Sequence, residues 1–413
     1  MKKNINLMPR KWQVATATLF LALFPGFFFY HTLLGMGYIS PVLGGFFGPV
    51  SVIAFPVMIY IYINNILKYK SKLSAIDIVF LLLMAFSVIV SVVNFADGRL
   101  ALGDTKMLIW SLFGVLFNFI MYILSRSVPI DSTKFRKCIY FSLFGMFLIA
   151  VLNVGDTGTF YLQEDSPYKE VVATYQGFAR SIAVIALVAI ALVDGLLIFA
   201  ISVFIGVLTL FFNGARTELV CFIFSTIILA FTRYGILKIL FLSAGFMLSI
   251  TLAVYGLSAE KYEKFVGNNR NLQLFDLDNA TSAQERNYLH EFAIRTIWEN
   301  PILGDYASYL NIEGTSDIGS VAHNILSAWV NLGILGFIGY ISITLLIVFS
   351  IIKNWKKVRA GDIEWNLVVA FSSFSIVAMI FGKDYTYMIF GLAVGFCARA
   401  ISSKNYRSWS IYK

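Results

Sequence analysis

The chain has 413 residues, of which 59% are apolar and only 13% charged, with a formal charge of +9. A soluble domain is about a quarter charged, so this composition excludes a water-soluble globular protein. Lipid must solvate most of the chain, and in lipid only helices or closed barrels satisfy the backbone. The apolar runs are long and continuous and lack the alternation of a barrel strand, so the expected fold is an all-α polytopic membrane protein.

A spanning helix needs about 20 apolar residues. In chain order the expected spans are Trp12–Leu34, Val42–Ile63, Ala75–Phe95, Met107–Leu124, Ile139–Leu152 and Phe178–Leu192. They continue with Leu196–Phe212, Glu218–Phe231, Ile236–Tyr255, His323–Ile352, Trp365–Phe381 and Tyr385–Ala400, about twelve in all. The first follows Lys2, Lys3, Arg10 and Lys11, is too long for a cleaved leader and lacks a small-residue cleavage site, so it is expected to be a signal-anchor. Cysteines at 138, 221 and 397 have neither metal-ligand nor disulfide-framework spacing. No repeat or separate soluble domain interrupts the chain, which is expected to form one membrane domain over residues 1–413.

Cytoplasmic loops concentrate Lys and Arg. With the N-terminus inside, 21 of the 32 Lys and Arg fall on the inner side, leaving 11 outside, and an even span count returns the C-terminus to the inside. The net charge is then explained by topology and contact with anionic lipids, with no nucleic-acid partner. The outer face differs. Its long loop, Leu257–Ala322, has ten acids and five bases, a net charge of −5, so a positive site there must be local.

Four outer residues draw attention. Arg180 follows Tyr175-Gln176-Gly177 at the outer end of its span, and an ionisable group at membrane depth is a functional candidate by default. Arg216 lies in the very short turn Asn213-Gly214-Ala215-Arg216-Thr217-Glu218, where small neighbours allow a ligand close approach and snorkelling is the rival explanation. Arg286 falls in the first turn of a helix opened by the capping box Ser282…Glu285 and stopped by Pro301. A cation there opposes the helix dipole unless an anion such as phosphate lies between them; otherwise it pairs with Glu285 or Asp278. His323, with Asn324 beside it, opens the next span, where a neutral imidazole can act as a general base or simply mark the interface. Tyr288, Leu289, Phe292 and Trp298 give the loop helix apolar surface for the membrane face or for other helices. Tyr288, with the other outer aromatics, also suits stacking on sugar rings. Lys383-Asp384, in the last outer turn, is expected to be a self-neutralising pair. Histidines occur only at 31, 290 and 323, without ligand spacing, so no metal is expected. Together the outer arginines suit a diphosphate, because guanidinium binds phosphate oxygens in pairs.

The run Arg286-Asn287-Tyr288 … Ile297-Trp298-Glu299-Asn300-Pro301-Ile302-Leu303-Gly304 … His323-Asn324 … Gly333 … Gly336 resembles the shared region of the O-antigen ligase and O-antigen polymerase superfamily. The turn Gly214-Ala215-Arg216-Thr217 looks like the Arg-Thr motif those proteins carry ahead of it. The resemblance covers about Gly214 to Gly339; elsewhere it extends only to hydropathy and span count. It implies a GT-C-like fold with one long periplasmic loop containing short helices, in the bacterial inner membrane. It further implies a metal-independent, cofactor-free, inverting glycosyltransferase acting at the periplasmic face on undecaprenyl-diphosphate-linked oligosaccharide. Arg216 and Arg286 would then grip the diphosphate and His323 would activate the acceptor hydroxyl, with Arg180, Tyr288, Arg295 and Asn324 as further substrate contacts. Membrane lipids and a chain-length regulator protein are the implied partners. The acidic outer segments favour a polymerase over a ligase that must approach the phosphorylated lipid A–core. A twelve-helix secondary transporter is the alternative from another class; the lack of two similar halves and the outer position of the charges count against it.

Overall fold

The computed structural model describes residues 9–42, 46–67, 73–96, 105–154, 160, 162, 166–235, 281–308, 322 and 324–409. Among them all regular structure is helical. The first span is α1 (Arg10–Leu21), a π-helical turn (Ala22–Gly26) around Pro25, and α2 (Phe27–Gly35). Proline has no N–H to donate, and the wider turn absorbs that gap inside one continuous rod. There follow α3 (Phe47–Leu67), α4 (Ala75–Ala96), α5 (Thr105–Ser127), α6 (Thr133–Leu152), α7 (Tyr175–Leu192), α8 (Leu196–Asn213) and α9 (Arg216–Tyr234). After the polar segment come α10 (Thr281–Glu299), α11 (Leu326–Lys353), the short α12 (Trp355–Arg359), α13 (Ile363–Phe381) and α14 (Ile389–Trp409).

Eight of the helices described are long and apolar enough to cross a membrane, and three shorter apolar ones accompany them. The chain is a polytopic, membrane-embedded helical protein. Every expected span except Ile236–Tyr255, which lies outside the described residues, coincides with a helix. The three expected to be shortest are longer than their apolar cores. Polar residues at their ends are helical too, as in Thr133–Cys138 of α6, where Ser132 accepts from Phe135 N as N-cap. The extension matters most in α7. Its helix starts at Tyr175, so Arg180 sits more than a turn inside it rather than at its mouth.

α7 is the axis of the bundle: every residue of its Ser181–Leu192 run is buried. Its alanines let α8, α9 and α13 approach closely, the small-residue packing expected where lipid gives helices no hydrophobic reason to associate. The peripheral helices keep large apolar side chains outward, such as Phe141, Leu152, Leu197, Leu335 and Leu345.

A belt of basic side chains ties the helix ends together at one end of the bundle. Arg126 Nη1 meets Asp77 Oδ1 at 2.5 Å, and Asp77, fully buried, also accepts from Ser74 N, Ser74 Oγ and Tyr122 Oη. Arg399 reaches Glu364 at 3.4 Å and donates to the Val128 carbonyl. Arg233 donates to the carbonyls of Ile190 and Val193. Buried carbonyls left over at helix ends are thus capped by guanidinium groups, and the belt marks a common level for α5, α7, α9, α13 and α14.

Candidate functional site

Helix rise converts that level into depth. At about 1.5 Å per residue, α5 climbs roughly 33 Å from Ser127 to Thr105, enough to cross a hydrocarbon core of about 30 Å. α14 climbs only about 15 Å from Arg399 before it begins at Ile389. By the same count α13 climbs about 26 Å from Glu364 to Phe381, so the connector Gly382–Met388 descends from near the top of α13 to the low start of α14 and forms a re-entrant dip, the floor of a recess at the end away from the basic belt.

Three helices hold the connector down. Asn118 of α5 donates to Thr386 O at 2.8 Å and accepts from Gly391 N at 3.1 Å. A Cβ at Gly391 would lie 2.2 Å from Asn118 O, so glycine is what permits the approach. Tyr340 of α11 donates to Tyr385 O at 2.9 Å, and Tyr385 N donates to Ser327 Oγ at 2.9 Å. Gly382 packs on Thr217 of α9, whose Cγ2 would be 2.6 Å from an added Cβ.

Ionisable groups gather on this floor. α8 ends at Asn213, and Gly214 adopts φ 75°, the left-handed C-cap that glycine favours. Arg216 opens α9 and Glu218 falls in its first turn, where a carboxylate is stabilised by the helix dipole. Glu218 is 2% exposed and meets Lys383 Nζ at 2.6 Å; the Lys383 side chain is 14% exposed. The expected Lys383–Asp384 pair is therefore corrected: Lys383 bonds across to α9, while Asp384 Oδ1 accepts from Thr386 N at 3.0 Å and Thr386 Oγ1 at 2.7 Å. Burial pushes the Asp384 carboxyl above its ordinary range, against the pull of those two hydrogen bonds. Lys383 Nζ lies 5.4 Å over the Tyr387 ring. Tyr387 is 8% exposed, and its hydroxyl has no hydrogen-bond partner. Arg180 Nη1 is 3.9 Å from Met388 Sδ and within electrostatic reach of Tyr387 and Glu218. Counted from Ile190, Arg180 stands about 15 Å above the belt, and Glu218, counted from Arg233, about 22 Å. Both lie within hydrocarbon depth.

The rim is built by α10 and α11. Gly333 breaks α11 with φ 67° and ψ −171°. The break opens the hydrogen bond between Ile334 N and Val330 O, and the turn after α10 takes both ends. Ile334 N donates to Ile302 O at 3.2 Å, and Asp305 N donates to Val330 O at 2.6 Å. Trp329 Nε1 donates to Pro301 O and Ala307 N to Asn331 Oδ1. Non-helical backbone at membrane depth is tolerated when protein satisfies it in this way. On the N-terminal side of the break, Ile325 N donates to Met379 O at 2.7 Å and Ser327 Oγ accepts from Tyr385 N, so this part of α11 sits against the end of α13 and the connector.

The structure thus brings Arg180 and Arg216 to the same end of the bundle, with Asn324 above them. Asn324 accepts from Leu326 N at 2.9 Å and so caps α11. Tyr288 and Arg295 sit on the exposed face of α10, with Arg295 stacked 5.3 Å from Phe292. Leu289 and Ala293, in contrast, are buried. α10 begins at Thr281, one residue before the expected cap; the side chains of Ser282, Glu285 and Arg286 lie outside the described residues, as does His323. Sequence reasoning missed Glu218, Lys383 and Tyr387 as members of one cluster. A signal was present: only three residues separate Phe381 from Tyr385, too few to lift an ionisable pair clear of two spans. Among the described residues no group of three His, Cys, Asp or Glu gathers into a metal site. No family profile and no curated protein matches the chain.

Proposed function

We propose that the protein is an O-antigen polymerase: a GT-C-type, inverting, metal-independent glycosyltransferase of the bacterial inner membrane, with both termini cytoplasmic and its site facing the periplasm. The observation that carries this reading is the recess. Its cations lie at the end opposite the basic belt, from about 15 Å above it at Arg180 to about 26 Å at Arg216, a range of depth that suits a membrane-anchored diphosphate. In the reaction, an acceptor hydroxyl of the next lipid-linked repeat attacks the anomeric carbon of the growing glycan and passes its proton to His323. The bond from that carbon to the diphosphate oxygen breaks with inversion, and undecaprenyl diphosphate leaves with the electron pair. Arg216 and Arg286, with the positive end of α9, neutralise the leaving charge, which is why no metal is required. Arg180 supports the diphosphate from below; Tyr288, Arg295 and Asn324 lie on the glycan side.

The test is the lipopolysaccharide ladder of a strain lacking the chain. A single repeat on the core is the expected result. Bare core with polymer stranded on the carrier would instead assign a ligase, and an unchanged ladder would refute both. Arg216→Ala, Arg286→Ala and His323→Ala are each expected to abolish the ladder at unchanged protein abundance.

The mid-depth position of Arg180 favours a second reading, secondary transport, because transporters bind ions at that level. Ion-coupled uptake by the purified chain in vesicles, with the ladder intact in its absence, would establish it.

A further inference from the structure

We propose that Lys383 and Tyr387 complete the anion site in the recess, with Glu218 as an internal stand-in that holds Lys383 until a ligand phosphate takes its place. This rests on the reading of the recess as a diphosphate site and extends it to three residues that the superfamily resemblance does not assign.

Two observations point to a ligand. The first is the ion pair itself. A lysine and a glutamate 2.6 Å apart, 14% and 2% exposed, stand within hydrocarbon depth, where ionisable groups are costly and need a reason to persist. The mirror-image pair at the other end has such a reason: Asp77 accepts four hydrogen bonds and joins α4 to α5. At the end of Glu218 and Lys383, polar atoms are left over. Tyr387 is nine-tenths buried, its ring lies 5.4 Å from the Lys383 ammonium, and its hydroxyl bonds to nothing. Asn213, 2% exposed and one residue before the Gly214 turn, has both amide atoms without partners. An orphaned buried polar group costs about 1–3 kcal/mol, and a donor beside a cation is the arrangement that an incoming anion satisfies.

The second observation is charge. Arg180, Arg216 and Lys383 set three positive charges against the two carboxylates of Glu218 and Asp384 at the same end. A phosphate entering beside Arg180 meets Lys383 and the Tyr387 hydroxyl on its other side. It competes with Glu218 for one ammonium, as a strong multivalent acceptor does.

The competition has a signature that a purely structural ion pair lacks. Removing the stand-in must strengthen anion binding. The test uses the full chain in nanodiscs with two probes, undecaprenyl diphosphate and inorganic pyrophosphate, and reads Kd. Lys383→Gln is expected to weaken binding of the lipid probe at least about tenfold, while Lys383→Arg retains most of it. Tyr387→Phe is expected to weaken it severalfold. Glu218→Gln is expected to tighten it severalfold while lowering thermal stability; should that variant fail to fold, Glu218→Asp must tighten it to a smaller degree. Weaker binding in Glu218→Gln, or unchanged binding in Lys383→Gln while Arg216→Ala loses it, would overturn the inference and leave the diphosphate reading standing. Wild-type affinity in Arg216→Ala and Lys383→Gln alike would overturn both. Pyrophosphate bound as tightly as the lipid would assign a soluble anion as the ligand and overturn the lipid-linked substrate.

Discussion

Lys383 shows how a single side chain changes meaning with depth. Next to Asp384 in sequence, it invites local neutralisation. In space its ammonium belongs to Glu218, while Asp384 turns away to cap Thr386. Lys383→Met leaves a 2%-exposed carboxylate without its counter-charge, and a loss of about 3 kcal/mol is expected in detergent-solubilised melts. The double variant Glu218→Gln/Lys383→Met should recover most of that loss, since two neutral side chains of similar volume need no desolvation; equal destabilisation of single and double variants would rule the pair out as the cause. Neither fact was legible in the sequence, because the partner lies 165 positions away on another helix. What the sequence did carry was placement. Alternation of spans put Arg180, Arg216 and Lys383 on one side, and the structure finds them at one end.

The element with most to explain is the broken α11. Its apolar run is continuous from His323 to Ile352, so hydropathy reads it as one rod, and only the glycines at 304, 333 and 336 hinted otherwise. Their physical role is steric. A Cβ on Gly333 would sit 2.1 Å from Ile302 O, and one on Gly304 would sit 2.5 Å from Val330 O, both at positive φ. Gly333→Ala is expected to expel the turn from the break and cost about 3 kcal/mol or more, with new protease cleavage in the span 300–305 as the readout. An intact turn with only a small stability loss would show that the helix can mend itself by closing the Ile334–Val330 bond. The extent of α7 was similarly hidden. Glycine and glutamine before Phe178 read as a loop, yet tertiary packing draws them into the helix, which starts three residues earlier and leaves Arg180 more than a turn inside it.

For the molecule as a whole, two charged layers divide the labour. The basic belt binds helix ends to each other through guanidinium–carbonyl and guanidinium–carboxylate bonds; the recess floor pairs its lysine with a carboxylate and leaves the Tyr387 hydroxyl unbonded. Asp77→Asn is therefore expected to cost about 3 kcal/mol in stability by stranding Arg126, which is 8% exposed, while leaving the affinity of the recess for undecaprenyl diphosphate unchanged. Reduced affinity in a folded Asp77→Asn protein would mean that the two layers are coupled. Hydropathy and charge bias were enough to recover the spans and their alternation, because both follow from lipid acting as solvent. The recess was out of reach, because it arises from unequal helix heights that no local pattern encodes. The splice at Gly333 gives this architecture a mechanical character. Two backbone bonds lock the end of α10 to the upper part of α11, and a third joins that part to Met379, so the assembly works as a lever with its pivot at one glycine. A displacement of α10 is thereby tied through backbone bonds to the end of α13 as well as to α11.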